Sequence, residues 1–306
     1  MTLIRLDAVA GRPQLHGLGE APEALLAEAV RSTRGPVVVM IHGYKFIPGH
    51  PRRCPHRHIL GLERRRPCRK ALSWPRALGF TGAARDEGLG LAFGWHARGT
   101  LWDAWRRAEA AGAALAQVAE VLRAAAPERP VHVVAHSLGA RVALAAMARA
   151  PAGTFGRALL LAGAEFASSA EAALAAPGGR AAELVNVTSR ENLLFDLLLE
   201  TLVAPPRRGD VTLGRGLAQG PRRLTLRLED AHTLAALGRH GFSVAPPERR
   251  VCHWSAYLRP GVFDLYRALL RAPASTPLAS LAAAVAPPIT AMHPHAPLPS
   301  AAGAPS

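Results

Sequence analysis

The stretch that decides the fold is Val131-His132-Val133-Val134-Ala135-His136-Ser137-Leu138-Gly139-Ala140-Arg141. Its first four residues, three of them valines, indicate a buried parallel strand, and the alanine-rich run 140–150 indicates a helix. The small-x-Ser-x-Gly turn between them is typical of a nucleophile elbow, in which a tight turn lifts the Ser137 hydroxyl above the sheet edge. Small residues are needed at Ala135 and Gly139 because the strand and helix backbones approach closely there. The alternative is a serine that caps an ordinary helix.

Further short apolar runs alternate with helical periodicity along the chain. Because strands that are apolar throughout are covered on both faces, this alternation predicts an α/β fold with a doubly wound, mainly parallel sheet. The predicted strands are 37–41, 91–95, 131–134, 158–162, 184–189 and 224–228, with an edge strand at 3–10, and the predicted helices include 23–31, 102–125, 140–150 and 263–270.

Composition places the chain among globular proteins. Its 306 residues are 49% hydrophobic, enough for a sizeable core. The net charge of +15 comes almost entirely from arginines spread along the chain, whereas a nucleic-acid binder more often concentrates its basic residues. The charge still favours anionic partners or surfaces.

Three cysteines give no even disulfide framework, and neither a signal peptide nor a run of about 20 apolar residues is evident. We therefore expect a soluble cytoplasmic protein of undetermined oligomeric state, with no specific nucleic-acid partner.

We expect one domain over residues 1–272, followed by a disordered Ala/Pro-rich tail over 273–306 in which 278–285 could form one marginal helix. Residues 205–223 resemble a second long loop. Residues 45–88 are rich in Pro, His and Arg and too long for a routine connection, which indicates an inserted lid or substrate-binding loop.

The insertion carries four residues of zinc-binding type: Cys54, His56, His58 and Cys68. Their spacing matches no common structural-zinc pattern, so hydrogen-bonding histidines are the preferred interpretation and we expect no metal.

The strand 37–41 ends in His42-Gly43-Tyr44. A serine hydrolase needs a second backbone N–H donor facing its nucleophile, in a loop where glycine lets the backbone approach the substrate oxygen. We expect the Tyr44 N–H to form such an oxyanion hole with the Leu138 N–H.

A serine nucleophile also needs an imidazole base and a group that orients the imidazole. His253 is the preferred base because it lies late in the chain, in a loop before the final helix. His232 and His240 compete with it, and His136 is expected to shape the pocket.

For the orienting acid, Glu191 is the preferred candidate because it follows the strand that ends at Ser189. Asp196 is second and Glu165, after the preceding strand, is third. A residue in the first turn of a helix could instead complement the helix dipole.

Together, Ile41-His42-Gly43-Tyr44, Phe93-Gly94-Trp95, Ala135-His136-Ser137-Leu138-Gly139 and His253 resemble the α/β-hydrolase superfamily over roughly residues 36–271. The similarity is greatest to bacterial esterase- and lipase-like serine hydrolases. This resemblance implies hydrolysis of a carboxylester or related acyl bond of a small-molecule substrate without a metal or organic cofactor. The chain departs from the pattern at Ala135, where Gly is usual, and at the acid position.

The expected function is therefore a serine hydrolase with Ser137, His253 and Glu191 as its triad. A non-catalytic hydrolase-fold scaffold that binds an anionic partner and an acyltransferase are the alternatives.

Overall fold

The computed structural model describes residues 2–63, 68 and 70–286. The predicted tail beyond residue 286, and Pro67 of the insertion, lie outside the described residues. The described chain forms eight strands: β1 (Leu3–Val9), β2 (Arg12–Leu15), β3 (Val37–Ile41), β4 (Leu89–Trp95), β5 (Val131–His136), β6 (Phe155–Leu161), β7 (Glu183–Thr188) and β8 (Arg223–Arg227).

Ten α-helices accompany these strands within the described residues. They are α1 (Glu23–Ser32), α2 (Trp74–Ala77), α3 (Leu101–Ala125), α4 (Gly139–Met147), α5 (Ala167–Ala175), α6 (Leu193–Leu202), α7 (Ala231–Arg239), α8 (Ser255–Leu258), α9 (Val262–Arg271) and α10 (Leu278–Val285).

The strands form one sheet in the order β2-β1-β4-β3-β5-β6-β7-β8. All neighbours are parallel except β1 and β2, which pair antiparallel, so the predicted α/β class with a mainly parallel sheet is confirmed. The predicted edge strand at 3–10 is instead second from the edge, because β2 covers it.

Successive residues of a strand point to opposite faces of the sheet, and β3 shows how this divides the core. Val37, Val39 and Ile41 pack with α1, α3 and α4 on one face. Val38 and Met40 pack with α7, α9 and α10 on the other. The sheet is therefore buried between two helical layers, as its continuously apolar strands predict.

The long helix α3 begins with a reciprocal capping box in which Thr100 and Asp103 satisfy each other's backbone N–H groups. Gly112, which is unfavourable within a helix, lies where an added Cβ would come within 2.4 Å of the Ala145 Cβ. This glycine therefore allows α3 to pack closely against α4, the helix that follows Ser137.

The inserted segment 45–88 is largely part of the fold. Ile59, Leu60, Trp74 and Phe80 are buried in the second core layer, and the His56 Nε2 lies 2.8 Å from the Asp7 Oδ1 on β1. These contacts anchor much of the insertion to the domain.

The chain remains ordered past residue 272, where the sequence predicts the tail to begin. The buried Arg157 guanidinium donates to the carbonyls of Leu269 and Thr276, at 3.1 and 2.9 Å. Leu278, Leu281 and Val285 are buried, so the marginal helix forms and packs. Low periodicity concealed this segment because only three residues of its helix are fully buried.

Among the helices of the described residues, none combines the length and the apolar character that crossing a membrane requires.

Candidate active site

Ser137 lies immediately after β5, at the carboxyl edge of the sheet. Its backbone φ is +55°, a left-handed conformation that non-glycine residues seldom adopt. The turn is held by backbone bonds, because the Ser137 N–H donates to Leu161 and its carbonyl accepts from Ala140 and Ala164. The turn is therefore locked in a strained conformation by its neighbours.

Glycine at position 139 is required by the closeness of β3. A Cβ added there would lie 2.7 Å from the His42 carbonyl oxygen. Ile41 at the end of β3 is the register partner of Ala135, so the end of β3 lies beside Ser137. Ala135 is fully buried within β5 and accommodated in place of the usual glycine.

The structure brings His253 to Ser137 from 116 residues further along the chain, with 2.8 Å between the His253 Nε2 and the Ser137 Oγ. The segment is placed by the Cys252 N–H, which donates to the Glu191 carbonyl. The His253 carbonyl accepts from the His136 Nε2 at 2.9 Å, and the Phe195 ring stacks on the imidazole with centroids 4.5 Å apart.

The surroundings of His253 favour the neutral imidazole. Burial lowers its pKa well below the ordinary value, and the nearby His136 and Lys70 act in the same direction. A neutral ring that donates from Nδ1 leaves Nε2 free to accept the Ser137 proton.

The group that contacts the other nitrogen of His253 is Asn192, not Glu191. The Asn192 Oδ1 lies 2.6 Å from the His253 Nδ1, and the Asn192 Nδ2 donates to the Asp196 Oδ1 at 2.9 Å. The Asn192 amide therefore lies between His253 and the Asp196 carboxylate and bonds to both. Asp196, the second acid candidate, lies behind Asn192 rather than against the imidazole.

Burial raises the pKa of Asp196 to about 7, with Glu200 contributing in the same direction, against the lowering effect of the Asn192 hydrogen bond. Because a carboxylate oxygen accepts a bond from the Asn192 Nδ2, Asp196 determines that the amide oxygen faces His253. Asp196 is therefore suited to orienting Asn192.

The expected role of Glu191 as the contact of His253 does not fit this geometry. Its buried carboxylate pairs with the buried guanidinium of Arg259 and accepts from the Ser189 hydroxyl. Residues 190–192 form a 3₁₀ turn, in which successive side chains point about a third of a turn apart, so Asn192 and not Glu191 faces His253.

The remaining alternatives have other partners. Glu165 pairs with Arg141 at 2.6 Å, and burial raises the Glu165 pKa. His232 lies 3.0 Å from the Ala286 carbonyl oxygen, and His240 is exposed on the surface. Of these three, none contacts Ser137 or His253.

The loop after β3 lies against Ser137. A Cβ added to Gly43 would be 2.7 Å from the Ser137 Cβ, so only glycine permits this approach. The His42 Nδ1 donates to the Gly43 carbonyl at 2.8 Å, while its Nε2 accepts from the Trp95 N–H at 3.0 Å. Burial lowers the His42 pKa to about 3, which keeps the ring neutral for these two bonds.

This arrangement orients the following peptide group. In a trans peptide the Gly43 carbonyl and the Tyr44 N–H point in opposite directions, so holding the carbonyl on His42 directs the N–H away from His42. Neither the Tyr44 nor the Leu138 N–H donates to a partner among the described residues. Both are available to an oxygen bound beside Ser137.

The zinc-type residues of the insertion lie in two separate places, with the Cys54 Sγ 3.9 Å from the Nε2 of His16, whose ring lies 4.0 Å from that of His56. His56 faces Asp7, whereas the His58 Nε2 lies 3.4 Å from the Cys68 Sγ. Within the described residues, the group with potential ligand atoms close enough for a metal is Asp7, His16 and His56. The Asp7 carboxylate there already accepts from both imidazoles, at 2.7 and 2.8 Å.

No protein-family model and no curated protein sequence matches this chain. The chemistry of the site is therefore inferred from its geometry, which holds a hydroxyl, a neutral imidazole and two backbone donors within one small region.

Proposed function

We propose that this chain is a serine hydrolase of the α/β-hydrolase type that cleaves an ester or related acyl bond. The observation that carries the proposal is the 2.8 Å contact between the His253 Nε2 and the Ser137 Oγ, with Ser137 held at positive φ. The strand–turn–helix arrangement around Ser137 and the order of strands in the sheet support the same family.

In the proposed reaction, the Ser137 oxygen attacks the substrate carbonyl while its proton passes to the His253 Nε2. The Tyr44 and Leu138 N–H groups stabilise the negative charge on the carbonyl oxygen. The His253 proton is then transferred to the departing alcohol, leaving an acyl group on Ser137. Water, deprotonated by His253, releases the acid and restores the hydroxyl.

Asn192 replaces the usual carboxylate as the group that orients His253. A neutral amide oxygen fixes the imidazole with Nδ1 protonated, but it stabilises the imidazolium less than an anion in direct contact would. Asp196 supplies negative charge from behind the amide when it is ionised, so the proposed assembly is Ser137–His253–Asn192 with Asp196 as a positioning residue.

Two residues of the insertion, Phe46 near its start and Lys70 within its second half, contact residues that support the site. The Phe46 ring lies 5.1 Å from the His42 ring, and the Lys70 ammonium lies over the Trp254 ring at 3.0 Å from its centroid. These contacts support the proposal that the segment 45–88 forms one wall of the substrate site.

The experiment is hydrolysis of p-nitrophenyl butyrate by the purified chain and by Ser137→Ala. We expect turnover by the wild type and a loss of at least a thousandfold in the variant, whose near-ultraviolet circular dichroism should remain unchanged. Equal turnover by both proteins would reject Ser137 as the nucleophile.

A further inference from the structure

The outer face of α6 is strongly apolar and exposed. Five leucines keep 41–49% of their surface exposed: Leu193, Leu194, Leu197, Leu198 and Leu202. At 3.6 residues per turn, these five positions fall within one half of the helix circumference. Large apolar side chains that cluster on one exposed helix face are typical of an interaction surface.

The inner face of the same helix supports the candidate active site. Phe195 stacks on the His253 ring, Asp196 holds Asn192, and Leu199 packs with Phe166 and Val203. A partner bound to the leucine face would therefore be separated from the Ser137–His253 pair only by the helix α6.

A tryptophan extends the apolar face at the C-terminal end of α6. The side chain of Trp102 is 49% exposed, and its Nε1 donates to the Leu202 carbonyl at 2.7 Å. Tryptophan combines a large apolar ring with a polar N–H and is enriched where proteins meet the membrane–water boundary.

Arginines lie beyond both ends of α6. At the N-terminal end are Arg190 and the Arg249-Arg250 pair, which the bond between the Cys252 N–H and the Glu191 carbonyl holds nearby. Beyond the C-terminal end are Arg207 and Arg208. All five are exposed, and none forms an ion pair within the described residues.

Two carboxylates of this region are neutralised, since Glu191 pairs with Arg259 and Glu200 pairs with Arg215. Four keep their charge: Asp210 accepts from the neutral Ser168, Glu248 is exposed beside the Arg249-Arg250 pair, and Glu229 and Asp230 line a pocket with Arg190, Arg249 and Arg250. The five arginines outnumber them. The surroundings of the leucine face are therefore net cationic, in a chain whose total charge is +15.

We propose that the leucine face of α6, with Trp102 and the flanking arginines, docks this protein on an anionic phospholipid surface. An apolar helix face bordered by arginines, with tryptophan at one end, binds in the plane of such a surface through apolar insertion and charge attraction. The docking itself does not require Ser137. The substrate class that it implies, a lipid acyl ester presented at that surface, rests on the proposed function.

A second copy of the chain fits this face less well. Pairing two α6 helices antiparallel about a two-fold axis would bring Arg190 of one copy towards Arg207 and Arg208 of the other, so like charges would meet at both ends. A ten-residue helix is about 15 Å long and about 10 Å wide, whereas a stable interface buries about 800 Å² on each partner. An anionic membrane neutralises the same arginines.

The test is flotation of the full chain with vesicles of pure phosphatidylcholine and of three parts phosphatidylcholine to one part phosphatidylglycerol. We expect binding to the anionic vesicles that weakens with added salt. Leu194→Gln/Leu198→Gln should lower this binding at least tenfold, and Arg207→Gln/Arg208→Gln should lower it several-fold and reduce its salt dependence. Equal binding by the leucine variant, or no binding by the wild type, would overturn the proposal.

The matched control removes two exposed apolar side chains at the opposite edge of the sheet, Val9→Thr/Leu18→Gln, and should bind like the wild type. Sedimentation in the absence of vesicles tests whether a second copy of the chain covers the leucine face instead. A dimer that the leucine changes abolish would overturn lipid docking.

Hydrolysis of soluble p-nitrophenyl butyrate by the leucine variant should stay within twofold of the wild type, and a loss of it would place the leucines in the site instead. Leucine-dependent flotation of a wild type that hydrolyses no ester would reject the proposed function and leave the docking surface standing.

Discussion

Exchanging the amide and the carboxylate behind His253 tests how the imidazole is controlled. In Asn192→Asp/Asp196→Asn, a carboxylate at position 192 would contact the His253 Nδ1, which lies 2.6 Å from the present amide oxygen. The amide at position 196 would donate to that carboxylate across the present 2.9 Å contact. The volume and the hydrogen bonds are conserved, and only the position of the charge changes.

The magnitude follows from the distances. The exchange moves a negative charge from roughly 6–7 Å to 2.6 Å from the Nδ1, and Coulomb's law at an effective dielectric constant of about 20 then gives on the order of 4 kcal/mol. Desolvation of the carboxylate offsets part of this, so we expect a net gain of about 1–3 kcal/mol for the imidazolium, or roughly 10–100-fold in kcat/KM.

The assay is the pH dependence of kcat/KM for p-nitrophenyl butyrate. Because burial lowers the His253 pKa in the wild type, its acid limb should lie below pH 6.5, and the adjacent carboxylate of the double variant should move that limb upward by about one pH unit.

Each single variant is a control. Asn192→Asp places two carboxylates together, so one keeps a proton and the gain is smaller. Asp196→Asn replaces an acceptor-only carboxylate by an amide that can present either its oxygen or its NH₂ group, so the Asn192 amide is no longer held in one orientation and kcat/KM should fall by about tenfold. An unchanged acid limb and rate in a correctly folded double variant would refute the account.

Three further predictions concern neighbouring residues. Glu191→Gln leaves the buried Arg259 charge without its anion, so the free energy of unfolding should fall by about 3 kcal/mol, while kcat of the folded protein should stay within twofold. A catalytic role for Glu191 would show as a selective loss of kcat. Gly43→Ala adds a Cβ only 2.7 Å from that of Ser137, and kcat/KM should fall about 100–1000-fold with little change in Tm; wild-type turnover would remove the Gly43 loop from the site. The pKa of Asp196 is raised to about 7 from an ordinary 3.8, so the folded state favours the protonated carboxyl. Urea unfolding should therefore show a stabilisation on the order of 4 kcal/mol that is present below pH 4 and is lost as the pH rises through 7. Asp196→Asn should lack this loss, and parallel pH profiles of the two proteins would contradict the burial argument.

The main elements of the fold could be read from the sequence because their signals are local. Three valines in 131–134 and three in 37–39, together with their apolar neighbours, indicate continuous apolar strands, and the Ser137 turn follows from the small residues around it. The pairing of β2 with β1 could not be read, since a four-residue strand with Pro13 carries almost no pattern. Burial of the insertion depends on contacts such as that of His56 with Asp7, which are distant in sequence.

The partner of His253 escaped prediction for a different reason. Charge singled out Glu191, while its neutral neighbour Asn192 carried no signal of its own. The choice between them depends on the direction of successive side chains in a 3₁₀ turn and on Arg259, which lies 68 residues away and neutralises Glu191. The available clue was the residue order Glu191-Asn192 directly after a strand, which placed the orienting group within one residue.

The most direct test of the central claim is labelling with a fluorophosphonate probe, followed by mass spectrometry of the modified peptide. The probe reacts with a serine only when its hydroxyl is activated, so we predict one adduct on Ser137, abolished by His253→Ala and reduced by Asn192→Ala. Absence of the adduct on the folded wild type, or labelling that is equal without His253, would contradict the claim that this imidazole activates this hydroxyl.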